Sequence, residues 1–101
     1  MKMSAPSKPV RLADRYGAVL NGRSLGESIR GEAMDHVRRG EAVVLDLDGV
    51  EAVSPSFADE IFGKLQAEAG DLFEVVNVSS ALQPMANIAR AGRKNGSGSS
   101  Q

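Results

Sequence analysis

Two short apolar runs, residues 42–47 (AVVLDL) and 72–78 (LFEVVNV), flank a segment whose apolar residues Ala58, Ile61, Phe62, Leu65 and Ala69 recur at helical spacing as far as Gly70. Runs of this length without polar alternation suit strands buried on both faces. A strand, a helix and a strand joined by connections of a few residues pair in parallel through a right-handed crossover. The expected fold class is therefore α/β.

The rest of the chain extends this unit. Leu25, Ile29, Ala33 and Val37 form one stripe of a helix that starts near Ser24 and ends at Gly40. Gly26 and Gly31 each weaken that helix by about 1 kcal/mol relative to alanine. Residues 10–20 read as two short extended pieces with a bend near Arg15. A last helix begins at Ser80 or Gln83, carries Met85, Ile88 and Ala89, and tolerates Pro84 only in its first turn. A sheet of three or four strands needs its edges covered by a terminus, a bent strand or another chain.

Composition narrows the chemistry. The chain has 101 residues, no cysteine and one histidine, His36. Disulfides, thiolate metal sites and thiol nucleophiles are excluded, and a His-rich metal site is disfavoured. A chain of this length leaves little material for a deep substrate cleft. Residues 1–9 and the Gly/Ser-rich residues 92–101 are expected to be flexible around a folded unit at 10–91. No apolar stretch is long enough to span a bilayer and residues 1–9 lack the apolar core of a secretory signal, so a soluble, cytoplasmic protein is expected.

The net charge is −1, which argues against general nucleic-acid binding. Charge is unevenly placed: residues 1–40 are net +4, residues 41–76 net −8 and residues 77–101 net +3. Arg23, Arg30, Arg38 and Arg39 would make a basic strip on the first long helix, either a solvated face or a contact for DNA, with Glu27, Glu32 and Asp35 diluting it.

In small parallel sheets the functional edge is the carboxyl end of the strands. That edge collects Asp46, Asp48, Ser54, Ser56, Ser79 and Ser80. Ser54 before Pro55 reads as a helix N-cap with proline in the first helical position; Ser56 with Asp59 is an alternative capping box. Asp46 is expected to tie down neighbouring backbone amides, and Asp48-Gly49 to form a turn. Of Phe57 and Phe62, one is expected in the core and the other facing a partner.

Two resemblances bear on this edge. Residues 43–50, VVLDLDGV, resemble the opening motif of haloacid dehalogenase phosphatases, which implies Asp46 as phosphoryl acceptor and Asp48 as acid/base around magnesium. No acidic residue follows Glu74 to complete such a metal site. Residues 46–65, DLDGVEAVSPSFADEIFGKL, with S-F-A-D-E at 56–60 and R-x-x-G-x-x-x-R at 23–30, resemble the STAS-like family of bacterial and phage proteins, related to anti-sigma factor antagonists. That resemblance implies a STAS-like sheet of three to five strands, core strands parallel, with three or four helices.

It also implies a noncatalytic interaction module without cofactor, acting in the cytoplasm. Asp46 matches the antagonists' strand-end aspartate, Val50 and Val53 their hydrophobic turn, and Ser56 their phosphoserine. Ser54 and Pro55 replace an aspartate and a serine, and Phe57 stands where antagonists carry glycine. Asp46, Ser54, Phe57, Asp59 and Glu60 are then the expected partner-binding residues, and the implied partner is a histidine-kinase-type ATPase or an anti-sigma-like kinase. A homo-oligomer is compatible with the same reading.

Overall fold

The computed structural model describes residues 9–98, with side chains as far as Arg90. The expected flexible segment at 1–9 lies outside the described residues except for Pro9, as do residues 99–101.

Strand β1 (Val10–Arg11) is followed by a short helix α1 (Leu12–Tyr16), strand β2 (Val19–Leu20) and helix α2 (Arg23–Arg38). Strand β3 (Val43–Asp46) leads through β4 (Ala52–Val53) into α3 (Pro55–Ala58). That helix continues without a break as a π-helical stretch (Asp59–Leu65) and then α4 (Gln66–Ala69). A single 3-10 turn (Gly70–Leu72), strand β5 (Phe73–Val76) and helix α5 (Gln83–Gly98) complete the order.

The strands form a three-stranded sheet, β1-β3-β5, and a two-stranded one, β2-β4, with every pair parallel. The register Val43↔Phe73 through Asp46↔Val76 joins the two apolar runs at 42–47 and 72–78. The expected α/β class and parallel core strands are therefore present. Val43, Leu45 and Phe73 are buried on this sheet, and Ile29 and Ala33 bring α2 onto the same core.

Two local features differ from expectation. The bend near Arg15 is the five-residue helix α1, which buries Leu12 and ends at Gly17 with φ +94°. One turn carrying a single inward residue leaves no periodicity to read. Strand β4 was not expected: a two-residue strand is too short to show alternation, and its pairing Leu20↔Val53 is set by the distant β2. Helix α5 runs from Gln83 to Gly98. Among the described residues no helix is long and apolar enough to cross a membrane.

Candidate functional site

Ser54 ends β4, where its N–H donates to the Leu20 carbonyl at 2.9 Å. Its backbone is extended (φ −79°, ψ 158°), and its Oγ accepts from the Phe57 N–H at 3.2 Å, with Pro55 in the first turn. The Ser54-Pro55 cap is thus the one that forms, and Ser56 lies inside the helix. The same Oγ accepts the Gly22 N–H at 2.9 Å. Gly22, at φ +101°, is the residue that opens α2. One hydroxyl therefore ties together the beginnings of two helices, a role worth about 1 kcal/mol as a cap and more with the second bond.

Where α2 crosses the π-helical stretch, Arg23, Gly26 and Arg30 share one face at i, i+3 and i+7. Gly26 permits the contact: a Cβ there would stand 2.7 Å from Glu60 Cβ and 3.0 Å from its Cγ. Glu60 has 0% exposure and is fully paired. Arg23 Nη1 and Lys64 Nζ (2.9 Å) donate to its Oε2, and Arg30 Nε donates to Oε1 at 2.8 Å. Arg23 also donates to Asp59 at 3.3 Å and Arg30 to Glu68 at 3.1 Å. Burial alone would raise the Glu60 pKa, but hydrogen bonds from Lys64, Arg30 and Arg23 outweigh it and hold the carboxyl at about 2. The bond to Glu60 in turn raises both guanidiniums above their ordinary value.

This arrangement corrects two expected contact residues. Phe57 and Glu60 have 0% exposure and do not face a partner. Phe62, at 1%, is also in the core, with Arg90 stacked 5.7 Å from its ring centroid, so neither phenylalanine is presented outward. Phe57 is buried in α3, whereas Glu60 and Phe62 lie in the π-helical stretch. Its i→i+5 bonding adds a residue to the turn. Ile61, Phe62, Gly63 and Leu65 all turn inward together, beyond what a 3.6-residue period allows. Ser54, Ser56 and Asp59 are half-buried at the surface of the first turns.

Asp46 belongs to a separate cluster at the end of the three-stranded sheet. Its Oδ1 accepts from Asn77 Nδ2 and from the Asp48 N–H, both at 2.9 Å. The Asn77 bond, followed by the backbone one, lowers its pKa. Asn77 has φ +59°, a conformation that asparagine tolerates better than most residues. Asp48 accepts from Arg11 at 3.0 Å, and Gly49 at φ +90° completes a turn closed by Val50 N–H to the Leu47 carbonyl at 3.0 Å. The expected amide-tying role of Asp46 and the Asp48-Gly49 turn are both present. Among the described residues no group of three or more His, Asp or Glu is placed to hold a metal ion.

The four arginines do not make one strip. Arg23 and Arg30 turn to Glu60, whereas Arg38 pairs with Asp35 at 3.2 Å and Arg39 with Glu41 at 3.6 Å. Each is engaged by a carboxylate, which lowers the positive field a phosphate backbone would meet.

Sequence reasoning missed Glu60 as a buried anchor. The signals were present, a glycine between two arginines at helical spacing and an i,i+4 Glu-Lys pair, but a charged residue on a helix is ordinarily assigned to solvent.

The chain is thus a small parallel α/β unit with a serine-capped helix directly after β4. A family model described as a STAS-like domain of unknown function (DUF4325) matches residues 26–83, and the chain belongs to that family. The matched span begins at Gly26 and takes in Arg30, Glu60 and Lys64, with Arg23 just before it. No curated protein and no solved structure matches the chain.

Proposed function

We propose that the chain is a noncatalytic protein-docking module whose binding is switched by phosphorylation of Ser56. The observation that carries this reading is the division of labour between the two serines. Ser54 makes the cap, so Ser56 is not needed for it and stands half-buried in the first turn. The docking surface is the exposed side of this turn, with Pro55, Ser56 and Asp59, while Phe57 and Glu60 hold it from beneath. Asp46 shapes the neighbouring strand end through Asn77.

The partner on this reading is an ATP-dependent protein kinase of the histidine-kinase-type ATPase or anti-sigma-like class, in the cytoplasm. The serine oxygen forms the new bond to the γ-phosphorus of ATP as the bond to the ADP oxygen breaks, and the serine proton passes to the kinase's base. The product carries a charge of roughly −1.5 to −2 beside Asp59. It therefore repels an acidic partner surface and adds bulk at the interface.

Incubation with a candidate kinase and ATP is expected to add one phosphate to the wild type and none to Ser56→Ala, read by intact mass. Both proteins should bind the kinase before modification, and the phosphorylated form should be released. An unmodified wild type that still binds removes the switch and keeps the docking module; no binding overturns both. The noncatalytic reading further expects no magnesium-dependent hydrolysis of a generic phosphate ester, and turnover that disappears in Asp46→Asn would overturn it.

A further inference from the structure

Ser56 and Arg23 lie on different helices, but Ser54 Oγ binds the N–H of Gly22, one residue before Arg23, and the N–H of Phe57, one residue after Ser56. Within its own helix Ser56 shares a face with Asp59 and Glu60, three and four residues on. Those are the two carboxylates that Arg23 holds, Asp59 through a long 3.3 Å contact. The Arg23 side chain is 46% exposed, whereas Glu60 beneath it is at 0% and keeps two further donors.

Resting on the reading that Ser56 is modified, we propose that Arg23 is the residue that senses the modification: its guanidinium leaves Asp59 and Glu60 for the phosphoryl oxygens of Ser56, and Glu60 passes to Arg30 and Lys64 alone. A phosphoserine dianion carries more charge than Asp59 and offers oxygens that match the guanidinium fork. The exchange loosens the first turn of α2 from the π-helical stretch, which carries a change at one surface hydroxyl to a second helix. Of the neighbouring charges, Asp59 and Glu60 follow Ser56 on its own helix, Lys64 is held by Glu60, and Arg90 of α5 lies over the Phe62 ring.

The test uses the full chain with phosphoserine incorporated at position 56 during translation, so that it does not depend on any kinase. Phosphorus NMR then reads the second pKa of the phosphate in four backgrounds. Arg23→Gln is expected to raise it by about half a unit, a threefold weaker hold on the dianion, from an ordinary value near 6. Arg23→Lys, which keeps the charge, should recover most of the shift. Arg38→Gln, which removes an equal charge elsewhere, should leave it unchanged, and circular dichroism verifies that each variant is folded. No rise in Arg23→Gln, or a rise that Arg38→Gln equals, overturns the assignment. Failure of a kinase to modify Ser56 would count against the proposed switch and would leave this result standing.

Discussion

Glu60→Gln is expected to lower the unfolding free energy by about 3 kcal/mol at neutral pH, and to reduce the acid sensitivity of the fold. The carboxylate is fully buried and neutralises Arg23, Arg30 and Lys64 at one point. Glutamine has nearly the same shape but no charge, and its amide nitrogen brings donors toward donors. The three cations remain partly exposed, at 46%, 26% and 30%, so water takes up some of their charge and the loss falls at the lower end of that for breaking a buried pair.

The pH dependence follows from the direction of the shift. The folded carboxyl sits at about 2, against an ordinary value of 4.5. A depressed folded pKa contributes stability that is complete above the unfolded value and is lost as pH falls toward the folded one. The contribution is therefore whole at pH 7, declines below about 4.5 and is gone near 2. Chemical denaturation between pH 7 and pH 2 should show wild-type stability falling steeply at the acid end and the Glu60→Gln curve running flatter. Parallel curves would show that Glu60 is not the anchor.

The second large effect is steric. Gly26→Val should destabilise by about 3 kcal/mol, the upper part of the range for overpacking. Its Cβ would stand 2.7 Å from Glu60 Cβ and 3.5 Å from the Phe57 backbone, and both lie on a helix whose inner side is closed by core residues. Neither neighbour is a flexible chain end, so α2 itself must move away and lengthen its bonds to Glu60. Gly31 on the same helix is the control: nothing lies within 4 Å of its Cβ position. Gly31→Ala should raise stability by up to about 1 kcal/mol through helix propensity alone. Thermal melts of both variants check the pair, and equal effects would mean that propensity, not contact, governs Gly26.

The serine edge shows how far local reading reaches. Ser54-Pro55 specifies its own cap because all the bonds that define it lie within one turn, and the turn at Asp48-Gly49 is local in the same way. The link from Ser54 Oγ to Gly22 spans 32 residues and has no local trace. Strand β4 was hidden for the same reason, since its partner β2 is as short as itself and as distant. The expected contact roles of Phe57 and Glu60 came from the family resemblance, which carries no information about what packs across from them, and Glu60 and Phe62 lie in a π-helical stretch that departs from the 3.6-residue period.

What the linear order of residues determined unaided was the α/β class and the parallel pairing of the two apolar runs, with the helix between them starting at one of two nearby serines, since each depends on periodicity or on bonds within a turn; the structure chose Ser54. Only the folded chain decided that Glu60 is interior and Ser56 lies at the surface. A carboxylate's place in water or protein depends on what packs across from it, and here that is a glycine and two arginines brought in from another helix.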